Sequence, residues 1–143
     1  MIQNTTTVAV SRYLCGILLM VSTVIPVQAN DIEKVLFLVV EKDEIVASNT
    51  LAGRFDRLNL HAKERVRDYK VSNAVAVVVT NQRLVGYGVL AGGWQGTRLE
   101  AREKVQQIEV QDYSATVVTN DRILNFYGRS GAWSHTRRRV QLR

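Results

Sequence analysis

The sequence predicts an all-β fold of three tandem four-stranded antiparallel repeats arranged as β-propeller-like blades, with a β-trefoil as the alternative. Three observations predict it. The stretch from Ala74 to Arg98 recurs about 39 positions later on Tyr113 to Arg137 without a gap, and more faintly the same step earlier on Val35 to Asn59. Each copy consists of short β-branched runs separated by Asn-, Asp- or Gly-bearing turns. Each copy also holds one large aromatic at the same place: Phe55, Trp94 or Trp133.

Length and composition set the bounds. The chain has 143 residues, 46% of them hydrophobic and 22% charged, with a formal net charge of +6. That suits one globular domain and not a disordered chain. The basic excess permits a polyanionic partner without requiring one. Residues 1–29 read as a signal peptide. Arg12 is followed by the apolar run Tyr13 to Ile25, Pro26 breaks it, and Val27-Gln28-Ala29 offers small residues where a signal peptidase reads. Cleavage is expected between Ala29 and Asn30, giving a periplasmic or secreted protein with no stable membrane anchor. The alternative is an uncleaved N-terminal anchor, for which the run is short, since a span needs about 20 residues. Cleavage removes Cys15, the single cysteine of the chain. The exported domain must then hold together without disulfides.

The remaining residues 30–143 divide into units 30–68, 69–107 and 108–143. Units two and three share about 11 identities over about 36 aligned positions. Among them are Thr80/Thr119, Asn81/Asn120, Arg83/Arg122, Gly92/Gly131, Trp94/Trp133 and Arg98/Arg137. Unit one has diverged most. The first strand of each unit is Val- and Ala-rich: Leu36 to Val40, Val75 to Thr80, Ala115 to Thr119. Continuous runs of this kind suit a strand buried on both faces. A polar turn follows, carrying Glu41 to Glu44, Asn81 to Arg83 or Asn120 to Arg122. The second strand is Ile45 to Ala47, Leu84 to Val89 or Ile123 to Tyr127. A glycine turn at Gly53, Gly92-Gly93 or Gly131 leads to a third strand with the aromatic: Phe55 to Leu60, Trp94 to Leu99 or Trp133 to Arg138. The fourth strand, Glu64 to Lys70 or Lys104 to Val110, alternates and is expected half exposed. Its third copy would begin near Val140, where the chain ends. Residues 60–70 and 99–107 also contain good helix formers. The repeat favours strands there, because a strand-turn-strand unit of this length has room for one more strand.

The polarity gradient within a unit favours the blade, in which the first strand lines the axis and the last faces solvent. The count of three favours the trefoil, since propellers usually have about 4–8 blades. Two chains would supply six blades and leave no open edge. In repeat length, strand order and one aromatic per unit, the organisation resembles small-subunit propeller lectins, whose chains of a few blades complete a ring together. That resemblance implies self-association as a dimer and a glycan among the ligands. The Gln-x-Trp signature of trefoil lectins is absent, as Ala91 and Ser130 stand three positions before the tryptophans.

Each candidate binding residue has two readings. Trp94 and Trp133 are either stacking platforms for flat apolar ligands such as sugars, or packing anchors between repeats. Arg98 and Arg137, four residues on, share a strand face with them and pair either with an acidic ligand or with solvent. Arg83 and Arg122 occupy hairpin turns, where binding residues often sit. Arg129, Arg137, Arg138, Arg139 and Arg143 crowd the C-terminal end. They could meet a polyanion, but no nucleic-acid-binding signature accompanies them and no nucleic-acid partner is expected. His61 and His135 have no metal-ligand spacing, and no catalytic or nucleotide motif is present, so neither metal, cofactor nor enzymatic activity is expected. Glu64 and Glu103 lie between basic neighbours and read as surface ion pairs. The function implied is a non-enzymatic exported binding module. The alternative is a structural or assembly protein that pairs with copies of itself or with a protein partner through open sheet edges.

Overall fold

Short alternating or continuous β-branched runs punctuated by turn residues become strands throughout, and no helix forms among the described residues. The computed structural model describes residues 33–139. The expected signal peptide, its cleavage site, Cys15, Val140 and Arg143 lie outside them.

The strands form three open antiparallel meanders, each in chain order. Sheet 1 is β1 (Leu36–Val40), β2 (Glu44–Asn49) and β3 (Arg54–Asn59). Sheet 2 is β4 (Val66–Val71), β5 (Val75–Thr80), β6 (Arg83–Gly88) and β7 (Trp94–Arg98). Sheet 3 is β8 (Val105–Val110), β9 (Ser114–Thr119), β10 (Arg122–Tyr127) and β11 (Ala132–Arg137). Sheets 2 and 3 share a register down to the irregularity near the start of the first strand, at Val66/Asp68 and at Val105/Gln107. No strand of one sheet pairs with a strand of another among the described residues, so the three units do not close into one barrel.

Burial shows the layering. Every residue of β5 is buried, and all of β6 but Arg83. β2 and β9 alternate between buried and half-buried positions, and β10 between buried and exposed ones. Sheet 2 is therefore the middle layer, covered on both faces, as the unbroken Val75-Ala-Val-Val-Val-Thr80 run requires. One seam packs Leu36 and Ala47 of sheet 1 with Ala74, Ala76, Tyr87 and Val89 of sheet 2. The other packs Val75, Val77, Val79 and Leu84 of sheet 2 with Ala115, Val117, Leu124 and Phe126 of sheet 3. Two glycines set how closely sheets 2 and 3 approach. A Cβ on Gly86 would lie 2.7 Å from the Phe126 ring, and one on Gly88 would overlap the Gly128 carbonyl. The turn glycines Gly53, Gly92 and Gly131 hold φ of 62°, 60° and 71°, each in the turn before the last strand of its sheet, where a side chain would be strained.

Two features of the units differ from the sequence reading. The segments 60–70 and 99–107 do contain strands, but each strand opens the next sheet: β4 pairs with β5, and β8 with β9. The loops at 60–65 and 99–104 are the reason. Each turns back ahead of the strand, with Glu64 N–H donating to His61 O and Glu103 N–H to Glu100 O. Lys63 and Arg102 take left-handed φ of 64° and 68° there. Sheet 3 thus has four strands within the described residues, the last of them β11. For the same reason β5 is an interior strand of its sheet, not the inner edge.

Candidate functional site

The two tryptophans work between sheets. Trp94 lies against Tyr87, ring centroids 5.1 Å apart, and its Nε1 donates to Asp56 O of sheet 1 at 3.1 Å. Trp133 repeats this against Phe126 at 5.0 Å, and its Nε1 donates to Gln95 O of sheet 2 at 2.9 Å. Each ring is half-buried and ties the third hairpin strand of its unit to the corresponding strand of the preceding sheet. Phe55 holds the same place on sheet 1 and is 72% exposed. Arg98 and Arg137 are exposed. Neither stacks on its tryptophan. The cation–π contacts among the described residues are Lys34 on Phe37 and Arg129 on Tyr113.

Arg83 and Arg122 turn inward from their hairpins. Arg83 Nε donates to Glu64 Oε1 at 2.8 Å and its Nη2 to Glu64 Oε2 at 3.1 Å. Arg122 makes the same fork to Glu103, at 2.8 and 2.9 Å. The hydroxyls of Thr80 and Thr119 donate to the same carboxylates at 2.8 Å. Each guanidinium then crosses to the preceding sheet, donating to Asn59 O at 3.4 Å or Arg98 O at 2.7 Å. The side chains of Glu64 and Glu103 are 0% and 1% exposed, so they are not the surface pairs that their basic sequence neighbours suggest. Burial pushes both carboxyls up. The arginine fork, the turn N–H and the threonine hydroxyl outweigh it and hold both below the ordinary glutamate range. The Glu103 hydrogen bond in turn raises Arg122. These paired donors and acceptors are satisfied within the fold and latch the sheets together.

A third polar group lies at the first seam alone. Tyr87 OH donates to Asp56 Oδ2 at 2.5 Å, and Asn49 Nδ2 donates to Tyr87 OH at 3.2 Å. Arg54 closes the set, with Nε 3.0 Å from Asp56 Oδ2. Burial, then the Asp56 carboxylate, raises the Tyr87 hydroxyl above its ordinary value. The counterparts of Tyr87 and Asp56 one step on are Phe126 and Gln95, so this group has no second copy. No sequence pattern pointed to it, because its members come from three strands of two sheets.

Surfaces among the described residues also stand open to solvent. A cleft of about 710 Å³ runs between β4 and β8, with Arg67, Lys70 and Lys104 against Asp68 and Glu103 on its walls. It is basic on balance and holds no Trp or candidate arginine. The outer face of sheet 1 shows Phe37 and Val39, 47% and 52% exposed. The outer face of sheet 3 shows Ile123 and Tyr127, 37% and 46% exposed. The counterparts of Val39 are Val78 and Val117, and the counterpart of Ile123 is Leu84; all three are buried at 0%. His61 Nδ1 lies 3.6 Å from Glu64 Oε2, His135 is exposed, and no group of metal-binding side chains occurs among the described residues. Compared with known proteins, the chain matches neither a family model nor a curated relative.

Proposed function

We propose that the chain is an exported, non-enzymatic binding module that works by association, its three sheets serving as successive blade-like layers of a larger propeller-like assembly. The observation that carries this reading is the pair of outer faces: positions that are apolar and buried at both internal seams are apolar and exposed at the two ends. Exposed apolar surface of this kind, bounded by polar residues, marks an interaction site. The association runs through sheet faces, whereas the sequence alone suggested sheet edges. The engagement of Trp94, Trp133, Arg83 and Arg122 in the seams also favours assembly over a glycan platform at those residues. Arg98 keeps an exposed side chain for an acidic ligand, and the exposed Arg137 stands at the free end of sheet 3. The cleft with Arg67, Lys70 and Lys104 favours a second reading, in which the assembled protein also takes up an acidic glycan or another polyanion.

The test is the solution mass of the exported chain by light scattering after size exclusion. A mass of two chains or more is expected, and Val39→Lys should reduce it to one chain while leaving the far-ultraviolet circular dichroism unchanged. A single-chain mass at every concentration would overturn the reading.

A further inference from the structure

The two ends of the three-sheet stack carry opposite charge at the places where the seam between sheets 2 and 3 carries an ion pair. At the seam between sheets 2 and 3, the β9–β10 turn meets the end of β7. Arg122 Nη2 donates to Arg98 O at 2.7 Å, and Arg122 Nη1 lies 3.9 Å from Glu100 Oε1. One step along the repeat, the strand-end residues Arg98, Leu99 and Glu100 become Arg137, Arg138 and Arg139. Two steps back, the residues Thr119, Asn120, Asp121 and Arg122 become Glu41, Lys42, Asp43 and Glu44, which leaves the turn with a net negative charge. The cross-seam pair Arg122–Glu100 is thus represented at the free ends by Glu44 and Arg139, with both signs reversed.

We propose that the partner on these faces is a second copy of this chain, docked head to tail. The outer face of sheet 1 of one copy covers the outer face of sheet 3 of the next, and the acidic β1–β2 turn of the first lies on the arginine run that follows β11 of the second. This names the partner for the association proposed above and rests on that reading. Like faces do not reproduce the pairing: sheet 1 on sheet 1 offers the acidic turns no arginine run, and sheet 3 on sheet 3 offers the arginines no acidic turn.

The side chains are available for the exchange. Glu41 and Asp43 are exposed; Glu44 is 25% exposed and would exchange a surface partner, Arg57, which lies 2.6 Å away and is itself 64% exposed. Arg138 is bound within the chain, to Gln106 Oε1 and Thr119 O. Arg137 and Arg139 make no ion pair among the described residues. The apolar and polar positions follow the same step. Where Phe126 packs on Gly86, the new seam sets Ser48 beside Asn125, a polar pair. Where Gly88 meets Gly128, it sets Tyr127 beside Thr50, so the copies stand further apart at that corner. A head-to-tail contact either closes into a ring or runs on as a filament. Two copies give six layers, within the range of about 4–8 in propeller rings.

Mixing charge-reversed chains tests this. One variant carries Glu41→Lys and Glu44→Lys, the other Arg137→Glu and Arg139→Glu; Arg138 is left alone because it is bound within the chain. Each variant alone should run as a single chain, since every contact then opposes like charges. An equimolar mixture should recover the wild-type mass, because each remaining contact pairs lysine with glutamate or arginine with glutamate. The chain carrying all four changes should also recover it. Circular dichroism and thermal melting establish that each variant is folded; should a double variant not fold, the single changes Glu44→Lys and Arg139→Glu repeat the design. Wild-type mass for both variants alone, or a mixture that stays monomeric, would overturn the head-to-tail arrangement while leaving the association reading intact. A monomeric wild-type chain would overturn both.

Discussion

At the scale of single residues, the Thr–Glu–Arg groups hold the sheets in place. A carboxylate as enclosed as Glu103 keeps its charge because Arg122, Thr119 and a backbone N–H all donate to it. Removing the cation alone leaves that charge buried without a partner. Arg122→Ala should therefore cost about 3–5 kcal/mol, the range for a broken buried ion pair, read from urea denaturation. The pH dependence follows from the direction of the carboxyl shifts. Glu64 and Glu103 titrate lower in the folded chain than in the unfolded one, so their contribution is complete above the unfolded value of about 4.3 and is lost as pH falls through their folded values. Stability should drop through that acid window, and the variant carrying Glu64→Gln and Glu103→Gln should show a flatter profile there by thermal melting at a series of pH values. The sequence displayed half of this group. Thr80/Thr119 and Arg83/Arg122 stood out as repeat identities, but Lys63, Arg65, Arg102 and Lys104 beside the glutamates suggested pairing with chain neighbours. The true partners lie 19 residues away, across the sheet, a distance that flanking residues do not encode.

At the scale of elements, the strands were the legible part. The run Val75 to Thr80 predicted a strand enclosed on both faces, and β5 spans those residues with each of them buried. The segments at 60–70 and 99–107 show where local reading stops. Their composition suits a helix, and only sheet pairing decides between strand and helix. The repeat period fixes the spacing of strands but not where one sheet ends, because any phase of a 39-residue period fits the same identities. The loops before β4 and β8 decide it through their backbone turns. Glycines within strands had no meaning in sequence. In the folded chain Gly86 makes room for the Phe126 ring. Gly86→Ala should destabilise the protein by about 1–3 kcal/mol through overpacking, measured by chemical denaturation, whereas Gly96→Ala, whose added Cβ meets its nearest atom only at 3.7 Å, should cost far less.

At the scale of the whole molecule, stability should be graded by layer. Amide hydrogen exchange should be slowest in β5 and β6, which are covered on both sides, and faster in the edge strands β4, β7 and β11. Uniform protection across the three sheets would contradict that grading. Repetition creates a hazard of its own, since near-equivalent layers can stack in the wrong order while the chain folds. The hydroxyl of Tyr87 guards against this. In the native order it reaches Asp56 and Asn49 on sheet 1. If sheet 2 turned that face onto the far side of sheet 3, the places of Asp56 and Asn49 would be taken by Ser134 and Tyr127. The phenol would then exchange its charged acceptor for neutral hydroxyls, whose hydrogen bonds are worth about 0.5–1.5 kcal/mol against about 1.5–3 for a charged partner. One tyrosine, at a position where the other layer has phenylalanine, thus favours the native sequence of layers.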